Sequence, residues 1–318
     1  MLNYSDKQIK TIVITLLKRD VEVVPIGNHE LKRHLVYTIK NNDEIIGVFK
    51  LYYRKNRWNR EVASLRFLEG KGIKVPKILD LGNFEDGTEW LLMSYIEGEV
   101  FSKVKDEISE DNIRELYVSI GEELGKIHSL KTFDFFGDWD EKGNSTKNIK
   151  SFSLYFKNRV DQALKELFDQ HLEEEPLQRK AAELLKTMMP LVEEVKEAHL
   201  SNGDFGERNI LVKKIDNTWK FSGLIDFEHS VPKDRDSELI SCYYKLLEEN
   251  SRFAEGFKDG YERYMKFSNN LEKKKALYEI YEGLDICSWA KVQAPDYYWE
   301  GIKILKKYVR EWCLGIWK

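Results

Sequence analysis

Apolar and polar positions give the chain a β texture near its start. Val23-Val24 is followed by Leu35-Val36-Tyr37-Thr38-Ile39, a polar turn at Asn41-Asn42-Asp43, and a second run from Ile45 to Tyr53. Two runs rich in β-branched and aromatic residues around a short polar turn predict a hairpin. Ahead of it, Ile12 to Leu17 is too short, and too closely flanked by Lys10 and Lys18, for a secretory core or a membrane span. It is expected to be the apolar face of a first helix. After the hairpin, Trp58, Val62, Leu65 and Leu68 recur at helical spacing. Glu61 lies on or beside that stripe. It either edges the stripe and meets water, or it is buried and paired with Lys50 on the preceding strand, because a buried carboxylate is costly without a partner.

Two further strands are expected at Val75–Gly82 and Trp90–Ile96, and the Glu97-Gly98 pair marks a boundary. Beyond it the pattern turns helical, with Ile113, Leu116, Tyr117, Ile120, Leu124 and Ile127 on one face. A polar stretch from Asp138 to Lys150 reads as a loop, and helices are expected from Phe152 to Leu200 with a break at Pro190. Short strands then fall at Ile210–Val212 and Trp219–Ile225, and the remainder from Glu238 is helical and rich in aromatics. This order predicts an α+β fold in two lobes: a small β-rich lobe over residues 1–96 and a larger, mainly helical lobe over 97–318. A chain of 318 residues is long enough for both.

Composition narrows the function classes. An apolar share of 42% and a charged share of 33% describe an ordinary folded protein, not a disordered one. A net charge of −4 argues against nucleic acid as the main partner, which needs a clustered cationic surface. Cys242, Cys287 and Cys313 are widely spaced and form no ligand pattern, so they read as reduced core thiols, and the chain as cytoplasmic with no membrane partner.

The chemistry concentrates in one loop, Ser201-Asn202-Gly203-Asp204-Phe205-Gly206-Glu207-Arg208-Asn209. Asp204 and Asn209 lie five apart, and Asp226 follows the next predicted strand pair. Two carboxylates and an amide oxygen, with no His or Cys cluster nearby, are hard ligands suited to magnesium (Mg2+). Such a set fits phosphoryl transfer, where catalysis rests on positioning and on neutralising phosphate charge.

With these strings in view, the chain resembles the aminoglycoside phosphotransferase and choline kinase family, whose fold is similar to that of protein kinases. The resemblance runs through Val48-Phe49-Lys50, Arg60-Glu61-Val62, Val75 to Leu79, Leu92 to Gly98, Leu124 to His128, Gly203-Asp204 to Val212, Ile225 to Glu228, and Asp236 with Leu239. It implies that Lys50 contacts the α- and β-phosphates of ATP or GTP and that Glu61 holds Lys50. It further implies that Asp204 orients the acceptor hydroxyl and takes its proton, and that Asn209 and Asp226 hold magnesium. Met93, Ser94 and Ile96 would form the hinge that meets the base, and Asp236 would brace the catalytic loop. Asp204-Phe205-Gly206 spells the metal-binding triplet of protein kinases, but no earlier Asp-x-x-x-x-Asn loop precedes it, so the string is read as coincidence.

Two departures stand out. Asn202 replaces the histidine usual before Gly-Asp, and its amide is expected to supply the same supporting hydrogen bonds. The nucleotide-covering turn, Gly27 to His34, has one glycine and no GxGxxG. On the acceptor side, Glu282, Asp285 and Trp289 share a helix face apart from the stripe Leu277, Ile280, Leu284 and Cys287. They would bind a cationic acceptor through ion pairs and cation-π contact, or else form a solvated face. Tyr297, Tyr298 and Trp299 divide in the same way between acceptor wall and core, and His128, His199 and His229 read as structural. The expected activity is transfer of a γ-phosphoryl to a hydroxyl of a small molecule, with acceptors such as aminoglycosides, amino alcohols or other metabolites. The alternative is a nucleotide-binding pseudokinase without turnover.

Overall fold

The computed structural model describes residues 4–27, 29 and 33–315. Half of the predicted nucleotide-covering turn, residues 28 and 30–32, lies outside them. The predicted hairpin forms from β2 (His34–Asn41) and β3 (Glu44–Tyr52). With β1 (Glu22–Ile26), β4 (Ile78–Asn83) and β5 (Glu89–Met93) they make an antiparallel sheet of order β1-β2-β3-β5-β4. Because successive strand residues point to opposite faces, the sheet sorts its side chains. Leu35, Tyr37, Ile39, Phe49 and Leu51 pack with Ile9 and Val13 of helix α1 (Asp6–Leu17). Lys50 and Tyr52 point the other way, toward α2 (Arg57–Leu68). The Trp58 indole of α2 donates to the Trp90 carbonyl (2.9 Å), fixing the helix on β5.

Residues 94–98 form no helix or strand and lead into β6 (Glu99–Val100), which belongs to a different sheet, β6-β8-β9. There β8 (Ile210–Ile215) and β9 (Thr218–Leu224) form a hairpin closed by Asp216 and Asn217, both with positive φ, as a two-residue turn requires. The expected helix up to Leu200 stops earlier. Helices α5 (Phe152–Phe168) and α6 (Glu175–Met188) end in a 3-10 turn at Pro190, and His199–Ser201 is a strand, β7, paired with β10 (Val231–Lys233). This ribbon matters because the loop of residues 202–209 leaves it on one side and enters β8 on the other, while Asp226 lies between β9 and β10.

The helical part is built on α4 (Glu110–Ser129), started by the Ser109 hydroxyl cap on Asn112 N (3.4 Å). It crosses α9 (Ser251–Tyr261) at very short range: a Cβ on Gly121 would lie 2.0 Å from the Phe257 carbonyl, and one on Gly260 1.9 Å from that of Val118. The long pair α10 (Leu271–Gln293) and α11 (Pro295–Cys313) pack on each other and on α5 and α6. Of the three free cysteines, Cys287 is buried and Cys242 half-buried, but Cys313 is exposed and is not the core thiol expected. Burial pushes the Cys287 thiol up to about 12, which makes it unreactive. No described helix is long and apolar enough to cross a membrane.

Candidate active site

Lys50 occupies the middle of the cleft. Its Nζ lies 2.7 Å from Glu61 Oε2, 2.9 Å from Asp226 Oδ1 and 3.0 Å from Glu228 Oε2. Burial alone would push the ammonium pKa down, but Asp226, Glu61 and Glu228 outweigh it and hold the group well above its usual value. Glu61 is 2% exposed, so of its two sequence readings the paired, buried one describes the structure. Its Oε2 also accepts from the Tyr52 hydroxyl (2.6 Å), and its Oε1 from the Phe227 amide (3.3 Å). Glu61, Asp226 and Glu228 have ligand atoms close enough together to hold a cation, and the Lys50 ammonium fills that role. Glu228 was not singled out in the sequence. Burial would raise its pKa, yet Lys50 and His34, whose Nδ1 lies 3.0 Å from Oε2, drive it far below the carboxylate range.

Asp226 has φ +63°, a left-handed backbone that non-glycine residues rarely adopt. Strain of this kind persists only where neighbours over-determine it. Here Asn202 Nδ2 donates to the Asp226 carbonyl (3.3 Å), and Asn202 Oδ1 accepts from the Asp204 amide (3.0 Å). Asn202 thus braces its own loop with one end of its amide and ties that loop to the Asp226 turn with the other. Gly203 adopts φ +79°, and a Cβ there would come within 2.6 Å of the His229 carbonyl, so only glycine fits.

The brace under this loop is Glu238, and this corrects the assignment of Asp236. Glu238 is 2% exposed and accepts from the backbone amides of Asn202 (3.2 Å) and Gly203 (2.8 Å). Behind it runs a relay: Arg235 Nη1 donates to the Tyr261 oxygen (2.8 Å), Tyr261 meets His128 Nδ1 (2.9 Å), and His128 Nε2 meets Glu238 Oε2 (3.0 Å). Asp236 turns instead to Lys274 (2.8 Å) and Ser268 (2.5 Å), and Lys274 also reaches Asp234 (2.7 Å). Asp236 therefore anchors the turn that carries Glu238 to α10, one step removed from the loop.

Asp204 sits at the mouth of the cleft with its side chain 39% exposed. Oδ2 accepts from Asn209 Nδ2 (3.1 Å), and Oδ1 lies 3.4 Å from Arg208 Nη2. Desolvation raises its pKa, Arg208 opposes the shift, and Asp226 adds to it. The Asn209 amide nitrogen also reaches the Asp204 carbonyl (2.8 Å). No hydrogen bond from another described residue reaches Asn209 Oδ1 or Asp226 Oδ2. Both are oxygens of the hard kind that magnesium takes. Glu207, between them, is drawn away to Lys105 (2.7 Å) and Tyr117.

Where the hinge is expected, Met93 ends β5, and the Ser94 amide and hydroxyl are bonded to the Lys77 carbonyl and amide (2.8 Å each). The Ser94 carbonyl and Ile96 amide have no backbone partner among the described residues. On the acceptor side the three predicted residues differ in what they have left to offer. Asp285 is already engaged by Tyr281 (3.2 Å) and Arg159 (3.6 Å), and Trp289 has Arg33 stacked over its ring at 5.5 Å. Glu282 is exposed to solvent and has no ion pair among the described residues, and desolvation by the surrounding protein together with the Glu279 carboxylate raises its pKa. Tyr298 is core, whereas Tyr297 and Trp299 are exposed. His128 and His199 are buried, and His229 is kept neutral, its pKa lowered to about 3 by desolvation and by Arg57.

A sheet-borne lysine held by a helix glutamate, facing a loop with an Asp–Asn pair and a second aspartate, defines a protein-kinase-like fold. The sequence profile of the phosphotransferase enzyme family matches residues 48–275, and the chain belongs to that family. It is a phosphotransferase. No curated protein matches the sequence. Among solved structures it is similar to aminoglycoside phosphotransferase APH(4)-Ia, at 14% identity and a TM-score of 0.73, with 96% of this chain and 99% of that one covered. It is also similar to a thermostable mutant of that enzyme solved with AMP-PNP and hygromycin B (15%, TM-score 0.72, 95% and 98% covered). Similarity extends to wild-type aminoglycoside 2'-phosphotransferase-IIIa in its GDP complex (15%, TM-score 0.67, 97% and 99% covered).

Proposed function

We propose that this phosphotransferase is a small-molecule kinase that moves the γ-phosphoryl of ATP or GTP to a hydroxyl of an aminoglycoside-like, amino-alcohol or other small acceptor. The observation that carries this reading is the Lys50 ammonium, held by Glu61 and Asp226 opposite the loop that presents Asp204. Lys50 binds the α- and β-phosphates, and the Met93–Ile96 segment meets the base with the Ser94 carbonyl and Ile96 amide. Asn209 and Asp226 would hold magnesium, which supplies charge neutralisation for the phosphates when bound. The acceptor oxygen attacks the γ-phosphorus as the bond to the β-phosphate oxygen breaks, and the hydroxyl proton passes to Asp204, whose raised pKa suits a base. Asn202 and Glu238 keep that loop in register. Glu282 is the acceptor-side carboxylate best placed to meet an ammonium group, Asp285 and Trp289 being already engaged.

The lobes are proposed to divide after residue 96, and the protein to work in the cytoplasm with neither nucleic acid nor membrane as partner. A screen of hydroxyl-bearing antibiotics, amino alcohols and metabolites for ADP or GDP release tests the reading. Release with at least one acceptor is expected. Magnesium-dependent nucleotide binding without release for any acceptor would favour a pseudokinase.

A further inference from the structure

Within the catalytic loop, Phe205 packs on the core, Glu207 turns to Lys105 and Tyr117, and Asn209 serves Asp204. Arg208 does none of this. Its side chain is 63% exposed, its Nη1 donates to the Tyr297 hydroxyl (2.9 Å), and its Nη2 stands 3.4 Å from Asp204 Oδ1. The contact with Asp204 is long and solvated, hence weak and exchangeable. The anchor on Tyr297 is the shorter of the two. Tyr297 begins α11, and its ring packs against Trp289 of α10 with centroids 6.4 Å apart. Arg208 is therefore held by the acceptor-side helices beside the one carboxylate that the acceptor hydroxyl has to reach.

Distance decides what the guanidinium can do there. A hydroxyl bonded to Asp204 has its oxygen about 2.7 Å from the carboxylate, and the phosphorus it attacks lies about 3 Å beyond. A five-donor fork adjoining the same carboxylate reaches the non-bridging oxygens of that phosphoryl by side-chain rotation alone. Resting on the kinase reading above, we propose that Arg208 releases Asp204 in the ternary complex and donates to the phosphoryl in transfer. Arg208 is then a catalytic residue, and Tyr297 its positioning residue. In the step itself the acceptor O–P bond forms, the P–O bond to the departing diphosphate breaks, and the proton goes to Asp204. Arg208 gains and loses no proton. The exchange also frees Oδ1 for the hydroxyl at the moment the phosphoryl arrives.

ADP with aluminium fluoride mimics the phosphoryl in flight, so its affinity relative to ADP alone, with magnesium present, reads this contact without turnover. For Arg208→Ala we expect an unchanged melting temperature and ADP affinity, loss of about a hundredfold of the fluoride-dependent tightening, and a similar fall in kcat at constant nucleotide KM. Arg208→Lys should recover part of it, as a point charge without the fork. Tyr297→Phe should lower kcat about fivefold with KM unchanged, the worth of one hydrogen bond. An Arg208→Ala protein with wild-type fluoride discrimination, or with only a raised acceptor KM, overturns the proposal, as does a wild-type protein that gains nothing from fluoride. Absence of ADP release with every acceptor would instead sink the kinase reading, so the two failures are distinguishable.

Discussion

Glu238 and Asp236 show how much depends on one side chain. Both are acids within one short turn, yet only Glu238 faces the loop, where it accepts two backbone amides. Burial would raise its pKa, but His128, Lys233 and the Gly203 amide together bring it below the usual value. A depressed carboxylate stabilises the fold above its unfolded pKa of about 4.3, and that contribution is lost as pH falls through the folded value. Glu238→Gln is therefore expected to lower stability by about 2–3 kcal/mol at neutral pH, with the gap to wild type closing below about pH 4. Urea titrations at about pH 7 and about pH 3 would show a pH-independent gap if the charge of Glu238 were irrelevant. Asp226→Ala should abolish magnesium-dependent nucleotide binding, and an unchanged affinity by calorimetry would remove Asp226 from the metal site. From sequence, Asp204, Asn209 and Asp226 stood out as hard oxygen donors on neighbouring segments, and the Lys50–Glu61 pair was one of two readings of the α2 stripe, the one the structure adopts. Glu238 did not stand out, because acids two apart differ only in which way a four-residue helix points them.

Elements were legible in proportion to their length. The β2–β3 hairpin and α4 carry several repeats of their period, so alternation and the 3.6-residue stripe are unambiguous. Strand β7 has three residues and follows a helical stretch, and its pairing with β10 is a tertiary event that three positions cannot announce. Close helix approach was equally silent in the sequence. At the α4–α9 crossing, backbone carbonyls occupy the space that a methyl at Gly121 would need. Gly121→Ala should therefore destabilise the protein by about 1–3 kcal/mol through forced separation of the two helices. Unaltered thermal unfolding would mean that the crossing is looser than the geometry states.

At the scale of the molecule, the two sheets and the helical bundle bring one network into the cleft. Lys50 and Glu61 come from the first sheet and its helix, Asp204 and Asn209 from the loop between β7 and β8, and Asp226 from the turn after β9. Arg33, which precedes β2, stacks on Trp289 of α10, so both walls of the cleft also meet at its rim. The sequence anticipated a cationic acceptor on the face bearing Glu282, Asp285 and Trp289. Of the three, Glu282 has no ion pair among the described residues, because Arg159 and Arg33 reach across from distant segments to Asp285 and Trp289.

Asp204 is proposed to receive the proton of a hydroxyl that becomes a phosphate ester. This proton transfer is open to phosphorus NMR on wild type and Asp204→Asn, each incubated with magnesium, nucleotide and an acceptor that supports ADP or GDP release. A new phosphomonoester signal should grow with wild type, while Asp204→Asn should bind nucleotide equally well but form the ester about a thousandfold more slowly. Ester formation by Asp204→Asn at the wild-type rate would show that Asp204 is not the base.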